Sequence, residues 1–333
     1  MLSHRSLLLL PLALEAAFLE QAVASDFMDS AGRRVRLPKS IKRIIPAGPP
    51  TEALLYSLAP DTLAGLIEPW TDSQKQAGIE NIRDLPTIPR ITRRDGDLDI
   101  EAIRALHADL IIDYGNIDER YTALADKVQS ATGVPYLVLD GSLTKVPEVV
   151  TRLGAVLQRK ERAIEIATIA ELALQKLMPV TSKAAGERIS VYYARGSDGL
   201  RAVRSGSSLN EAIALAGGRN VIPPGDGTFS AMSVEDVATL NPSVVVLAHP
   251  KAAEPGAPLR QALPVQTRFL VDPGLPYGWI ERPPSLNRLI GALWLASNLY
   301  PGEISFSNGE AREMSVALFH QAPPNLRINE LSR

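Results

Sequence analysis

Short apolar runs alternate with segments of helical period along the first half of the chain. Four of the runs predict buried strands: RIIPAG (43–48), TLAGLI (62–67), DLIIDYG (109–115) and VPYLVLD (134–140). Three segments between them predict helices, because their apolar residues recur every three or four positions: PTEALLYSLA (50–59), DIEAIRAL (99–106) and RYTALADKVQSAT (120–132). Strands that alternate with helices at this spacing predict βαβ units and a parallel sheet.

The same alternation returns in the second half of the chain. Four segments predict strands: RISVYYAR (188–195), NVI (220–222), SVVVLA (243–248) and TRFLVDP (267–273). Three segments predict helices: SLNEAIALAGG (208–218), SVEDVATL (233–240) and PPSLNRLIGALWLASNLYP (283–301). Near the N-terminus, DSAGRRVRLP (29–38) predicts a hairpin that turns at Gly32.

Two stretches of the chain can be aligned without a gap, and each places one glutamate at its fourth position. They are LDIEAIRALHADLII (98–112), with Glu101, and MSVEDVATLNPSVVV (232–246), with Glu235. A helix followed by a strand in both stretches predicts equivalent places in two similar lobes. The helix dipole alone favours an acidic residue in the first turn of a helix. Because a glutamate stands at this position in both lobes, the two carboxylates could form a pair of contact points for arginines on a partner protein.

A run without proline, EVVTRLGAVLQRKERAIEIATIAELALQKLM (148–178), lies between Pro147 and Pro179. Its apolar residues keep a helical period, so it predicts one helix of roughly 45 Å that bridges the two lobes. The alternative is two helices that break at Gly154 or near Arg159. The predicted fold class is α/β, with two Rossmann-like lobes joined by a single long inter-lobe helix and a ligand cleft between the lobes.

The predicted domains are an N-terminal lobe over residues 25–146, the inter-lobe helix over 147–179 and a C-terminal lobe over 180–333. They follow a predicted secretory signal peptide over 1–24, which combines Arg5, an apolar run and an A-x-A pattern that ends at Ala24. Glu15 and Glu20 are unusual for such a signal, which leaves two alternatives: a start codon placed too early, or an amphipathic helix. The sequence contains no cysteine, so disulfides, thiolate metal sites and a lipid anchor on a terminal cysteine are all excluded.

Length, charge and motifs narrow the function. A chain of 333 residues is long enough for two hydrophobic cores. The net charge of −2, without a cluster of lysines or arginines, argues against nucleic acid as a partner. The sequence lacks a phosphate-binding loop, a nucleophile elbow, a dinucleotide fingerprint and a zinc-protease motif. It has four histidines, and we expect neither a catalytic site nor a cofactor nor a site that holds a metal ion through several imidazoles.

Candidate ligand-binding residues follow the predicted strands, because ligands of open α/β sheets bind beyond the carboxyl ends of the strands. The candidates are aromatic, cationic or polar: Pro49, Thr51, Trp70, Tyr114, Asn116, Arg195, Arg201, Arg204, His249, Tyr277, Trp279 and Arg282. Arg204 and Arg282 are expected to neutralise an anionic ligand, and the aromatic rings to pack on its body. Ser207 opens a predicted helix, where its N–H group could face an anion or its side chain could cap the helix.

The order of these segments resembles the periplasmic substrate-binding proteins of ABC importers for iron complexes and cobalamin, known as class III. The resemblance rests on the hairpin, the two aligned stretches, the long helix, GSSLNEAIALAGGRNVI (206–222) and WLASNLYP (294–301), and it covers nearly all of the chain after residue 24. Ala108 departs from the pattern, since the family usually has proline there. The segment GLPYGWIERPPSLNRLIGALWLA (274–296) is more similar to the branch with oxyanion and iron-type binders than to the corrinoid binders.

The resemblance implies a non-catalytic periplasmic protein. The absence of cysteine leaves it without a lipid anchor and therefore free in the periplasm, and delivery to a permease favours a monomer. The resemblance also implies a ligand in the cleft, a modest closure on binding, and delivery to a dimeric ABC permease onto which Glu101 and Glu235 dock. A ferric siderophore-type chelate is the first expectation for the ligand, and molybdate or tungstate is the alternative within the family. The alternative of another class is a two-domain α/β enzyme that acts on a nucleotide substrate.

Overall fold

The computed structural model describes residues 26–93, 98–248, 254, 257–272, 277–281 and 283–321. The predicted signal peptide, His249 and Arg282 therefore lie outside the described residues. Two short strands, β1 (Asp26–Met28) and β2 (Arg34–Arg36), pair antiparallel as the predicted hairpin. Gly32 takes a φ of +76° in the turn between them, a conformation that only glycine adopts without strain.

A three-stranded parallel sheet forms the centre of the N-terminal lobe. Its strands, in the order that they pair, are β3 (Ile44–Pro46), β4 (Leu110–Gly115) and β5 (Tyr136–Asp140). The helices in the described part of this lobe are α1 (Pro49–Leu58), α2 (Asp72–Ala77), α3 (Glu80–Arg83), α4 (Ile100–Ala105) and α5 (Glu119–Thr132), of which α1 and α5 pack on the sheet. The predicted parallel βαβ arrangement is confirmed in this lobe.

The strand predicted over residues 62–67 is wrong. Leu63 forms a single bridge with Ile44 of β3, whereas Leu66 bridges to Thr87 on another segment. The chain changes partner at Gly65, where a Cβ atom would lie 2.4 Å from the Pro86 carbonyl oxygen. The segment is therefore buried as a strand would be. It forms only one isolated bridge with each of its two neighbours, so it makes no continuous β-ladder.

The segment predicted as one inter-lobe helix consists of two helices, α6 (Val146–Val156) and α7 (Lys160–Thr181). The single-helix prediction is therefore wrong in this detail, and the alternative of a break near Arg159 is confirmed. Gln158 has a φ of 56°, which ends the helical path, and Gly154 lets α7 pack closely on α6. The 22-residue α7, about 33 Å long, contacts α1 in one lobe and helices of the other lobe, so it is the inter-lobe helix.

The C-terminal lobe contains a six-stranded mixed sheet. Its strands are β6 (Ile189–Arg195), β7 (Arg201–Val203), β8 (Gly218–Asn220), β9 (Phe229–Ala231), β10 (Val244–Leu247) and β11 (Arg268–Val271). The order is β11-β10-β6-β7-β9, with β8 paired to the start of β6. The strands β7 and β9 are antiparallel and only three residues long, and the apolar pattern did not predict them.

The helices of this lobe are α8 (Asn210–Leu215), α9 (Val234–Leu240), α10 (Pro258–Ala262), α11 (Asn287–Leu299) and α12 (Asn308–Phe319). One continuous hydrophobic cluster includes residues of both lobes and of α6 and α7, whereas two smaller clusters lie on the outer faces of the two sheets. Shared packing of this kind opposes large movements of one lobe against the other. The lobe boundaries at residues 146 and 180 stay predictions.

The repeated stretches adopt the same backbone path. The helices α4 and α9 begin at equivalent positions, and so do the strands β4 and β10 that follow them. His107 and Asn241, which occupy the same place in the two stretches, both have a left-handed conformation, with φ of 47° and 44°. His107 is thus explained as the residue that ends its helix.

No helix in the described part of the chain is both long and apolar enough to cross a lipid bilayer.

Candidate ligand-binding cleft

An open cleft of about 2190 Å³ lies between the two lobes. Its walls include residues at or just after the carboxyl ends of strands in both sheets: Tyr114 of β4, Asp140 of β5, Arg195 of β6, Ala248 after β10 and Asp272 after β11. Ligands of open α/β sheets bind at this edge, because the connections that follow parallel strands diverge there. The cleft is therefore the candidate site.

Aromatic side chains form one side of the cleft. Trp70 and Tyr277 line it and meet edge to face, with ring centroids 6.4 Å apart, and Tyr56 packs behind both rings. The hydroxyls of Tyr277 and of Tyr114 are buried and have no hydrogen-bond partner among the described residues. A buried polar group without a partner is costly, so a ligand or a solvent molecule that bonded to either hydroxyl would be favoured.

Three carboxyl groups that line the cleft are held by internal hydrogen bonds. Glu52 accepts from the N–H group of Ile67 (2.6 Å), and Asp272 accepts from the hydroxyl of Tyr193 (3.2 Å). Burial raises the pKa of Glu52 to about 7 and the pKa of Asp272 to about 7, although these hydrogen bonds oppose the shift. Burial likewise raises the pKa of Asp113 to about 6. These groups therefore present less negative charge near neutral pH than their number suggests.

Arg288 connects the two lobes at the floor of the cleft. The residue is 1% exposed, and its guanidinium donates to the carbonyl oxygen of Gly141 in the N-terminal lobe (2.6 Å) and to that of Ser208 in its own lobe (2.6 Å). It also pairs with Glu211 (3.1 Å), whose second carboxylate oxygen accepts from the N–H group of Leu143 across the cleft (2.7 Å). A buried ion pair with every partner satisfied fixes the two lobes at this point.

The structure places eight of the predicted ligand-binding residues in the lining of the cleft: Pro49, Trp70, Tyr114, Asn116, Arg195, Arg201, Ser207 and Tyr277. Their contact with a ligand stays a prediction. The backbone N–H group of Ser207 is not free for an anion, because it donates to the carbonyl oxygen of Arg204 (3.1 Å), and its hydroxyl donates to the same oxygen (2.8 Å).

Three other described candidates do not line the cleft. Thr51 is fully buried, and its hydroxyl oxygen accepts from the N–H group of Tyr114 (2.8 Å). The guanidinium of Arg204 donates to the Phe229 carbonyl oxygen (3.3 Å) and to the Ser230 hydroxyl (3.1 Å). Its hydrogen bonds therefore stabilise strand β9 of the sheet and are not directed into the cleft. Trp279 is 2% exposed and packs edge to face on Trp294, with centroids 6.2 Å apart. Arg282, the other cation expected to neutralise a ligand, lies outside the described residues.

Sequence reasoning missed several residues of the cleft. A signal was available for two of them, since Glu52 and Arg288 are lone charges within apolar helical segments. Phe229 gave no signal, because it belongs to a three-residue strand in a polar segment. Arg90 and Arg93 come from a connection without periodicity, so only the fold brings them to the cleft.

The two marked glutamates are both exposed and stand in the first turns of α4 and α9. Asp99 caps the first of these helices, and Ser233 caps the second. Glu101 also pairs with Arg104 one turn later (2.6 Å), in a solvent-exposed contact that contributes little to stability. The lobes thus present two equivalent carboxylates to solvent.

Two α/β lobes around an open cleft, connected by a long helix, define a solute-binding fold. The sequence matches no protein-family profile and no curated protein sequence. It is similar in structure to an ABC transporter solute-binding protein from Sulfurospirillum deleyianum, with 26% identity and a TM-score of 0.79 over 89% of this chain and 95% of that one. The chain therefore has the fold of the solute-binding proteins of ABC transporters, which confirms the resemblance drawn from its sequence.

Other solved structures share the fold at lower identity. A molybdate-binding periplasmic protein from Haemophilus influenzae is 17% identical, with a TM-score of 0.68 over 90% of this chain and 98% of that one. A periplasmic vitamin B12-binding protein from Vibrio cholerae is 17% identical, with a TM-score of 0.59 over 78% of this chain and 97% of that one. Proteins with this fold thus differ widely in their ligands.

Proposed function

We propose that the chain is a periplasmic solute-binding protein of an ABC importer that captures a ferric siderophore-type chelate and delivers it to a permease dimer. The observation that carries the proposal is the inter-lobe cleft, lined by aromatic rings and by arginines from both lobes. Aromatic surface packs on the organic body of a chelate, and arginine forms paired hydrogen bonds with its oxygen atoms.

The size of the cleft supports a chelate over an oxyanion. Its volume of about 2190 Å³ exceeds the roughly 300 to 1,000 Å³ of ordinary small-molecule pockets. Molybdate or tungstate, with four oxygens around one metal atom, would fill a small part of the space in this open cleft. A bulky iron complex would contact both walls at once.

The structural neighbours support a protein without catalytic activity. They are solute-binding proteins, and the proposed role needs only capture and release. We propose that the protein works as a monomer in the periplasm after removal of residues 1–24. Glu101 and Glu235 would then meet arginines on the two permease subunits, one from each lobe.

Thermal unfolding of the purified protein tests the proposed ligand. A ferric chelate at 100 times its dissociation constant should stabilise the native state by about 2.7 kcal/mol and raise the unfolding midpoint by several degrees. Haem, corrinoids, molybdate and tungstate serve as comparison ligands, and iron-free chelators serve as controls. If only molybdate or tungstate raises the unfolding midpoint, the protein binds an oxyanion and not a ferric chelate. No shift with any of these ligands, together with turnover of a nucleotide, would contradict a binding protein.

A further inference from the structure

The two walls of the cleft differ in charge. Among the described residues that line the N-terminal wall, five carboxylates stand against two arginines: Glu52, Glu68, Asp113, Asp118 and Asp140 against Arg90 and Arg93. The described residues of the C-terminal wall include three of each sign: Glu211, Asp272 and Glu281 against Arg195, Arg201 and Arg288. Since Arg288 and Glu211 neutralise each other at the floor, Arg195 and Arg201 are the other cationic groups among the described residues of this wall.

These two arginines are held side by side on neighbouring strands. Arg195 of β6 and Arg201 of β7 are directly opposite in the antiparallel register. Both guanidinium carbons lie 4.3 Å from the centroid of the Phe229 ring, which belongs to the next strand, β9. Arg195 pairs with the buried carboxylate of Glu281, whereas Arg201 is exposed and makes no ion pair with the described residues.

Like charges directly opposite each other in a sheet are unfavourable, so this arrangement needs compensation. The face of Phe229 attracts both cations, and Glu281 neutralises one of them. Among these groups, the positive charge of Arg201 is left without a counter-charge. Its planar guanidinium lies against the Phe229 ring, and the N–H groups of a guanidinium can donate to two oxygens at once. This geometry and charge fit a single oxyanion group.

The opposite wall is less suited to an anion, although burial raises the pKa of Glu52 to about 7 and the pKa of Asp113 to about 6, which lowers the negative charge of these two groups near neutral pH. Four of its five carboxylates already accept internal hydrogen bonds: Glu52 from Ile67, Asp113 from Tyr136, Asp118 from Tyr121 and Asp140 from Ser142. These bonds hold the carboxyl oxygens in place at the wall. An anionic group placed against this wall would meet the carboxylates of Asp118 and Asp140 as well as Arg90 and Arg93, whereas the same group on the C-terminal wall would meet Arg201.

We propose that Arg201, Arg195 and Phe229 form an anion subsite that binds one carboxylate-type group of the ligand and orients it toward the C-terminal lobe. This inference rests on the proposed function, because it assumes a ligand in the cleft. It goes further by naming the chemical group that the ligand presents, an oxyanion with two acceptor oxygens, and the wall that receives it.

The test compares Arg201→Gln with Arg219→Gln, a matched change of an exposed arginine on β8 of the same lobe that does not line the cleft. The probes are ferric citrate, which carries carboxylates, and a neutral ferric trihydroxamate. We expect Arg201→Gln to weaken the binding of ferric citrate at least tenfold and to leave the trihydroxamate unchanged. Arg219→Gln should bind both like the wild type.

A second variant, Phe229→Leu, keeps both charges and removes the ring that holds them. We expect it to weaken ferric citrate binding severalfold, with the unfolding midpoint of each variant as the check on folding. Equal affinity of Arg201→Gln and the wild type for ferric citrate would overturn the subsite. Equal weakening toward both chelates would overturn it too, because the loss would then not depend on a carboxylate.

Iron-free citrate and inorganic phosphate separate this inference from the proposed function. If the wild type binds neither ferric chelate, the proposed function fails. Iron-free citrate that binds to the wild type and not to Arg201→Gln would still support the subsite, and binding of neither citrate nor phosphate would overturn it. Phosphate bound more tightly than citrate in an Arg201-dependent manner would contradict the carboxylate assignment.

Discussion

Uptake of a ferric chelate should fall about tenfold or more when Glu101 and Glu235 are both replaced by alanine, because loss of a buried interfacial charge pair costs about 2 kcal/mol or more. Both carboxylates are exposed, and they stand at equivalent places on the two lobes. Neither lines the cleft, so the affinity for the chelate should stay at the wild-type value. Radioactive iron uptake by cells and titration of the purified protein measure the two quantities separately.

The control for this experiment changes two glutamates that are exposed on α7, Glu161→Ala with Glu171→Ala. These two substitutions remove the same charge from the protein surface, and we expect the control double variant to support normal uptake. Normal uptake by the Glu101 and Glu235 double variant would contradict the docking proposal. Reduced affinity with normal uptake would show that these residues serve the ligand site and not a partner.

Replacement of Arg288 by methionine should lower the free energy of unfolding by about 3 to 5 kcal/mol, the usual cost of removing one partner from a buried ion pair. The change leaves the carboxylate of Glu211 without its counter-charge and removes the donors to the carbonyl oxygens of Gly141 and Ser208. It also breaks a direct link between the lobes, so the cleft should vary more in width. Denaturant unfolding measures the first effect, and small-angle scattering measures the second.

Two further variants identify the cause of that loss. Arg288→Met combined with Glu211→Gln removes the unpaired charge and keeps an oxygen acceptor for Leu143, so part of the lost stability should return. Arg219→Met changes an exposed arginine and should cost less than about 0.5 kcal/mol. A loss of stability for Arg288→Met that is no greater than for Arg219→Met would contradict the role assigned to the ion pair.

The parts of the fold that could be predicted from the sequence are those that form a continuous apolar run or keep a helical period. An apolar run indicated β4, a helical period indicated α5 and α11, and the two aligned stretches indicated the equivalent helices α4 and α9. The break between α6 and α7 depends on the conformation of Gln158, which no periodicity encodes, so the sequence left both alternatives open.

The cleft was predicted only in part, because a position after a strand does not determine the direction of a side chain. Trp70 and Tyr114 line the cleft as expected of residues that follow apolar runs. Trp279 also follows an apolar run and was predicted to bind the ligand, yet its side chain packs in the core against Trp294. Arg201 contacts Phe229 because β7 and β9 are neighbouring strands, each of three residues. Whether such a short segment forms a strand depends on its pairing across the sheet and not on its local sequence pattern.

The central claim is that a ferric chelate binds between the lobes. Crystals of the protein grown with ferric citrate, measured at the iron absorption edge, test it most directly because the anomalous signal locates the metal independently of any assumed pose. We predict one iron per chain within the cleft, with a citrate carboxylate against Arg201. Iron found only outside the cleft, or absent at saturating ferric citrate and with a neutral ferric trihydroxamate alike, would contradict the account.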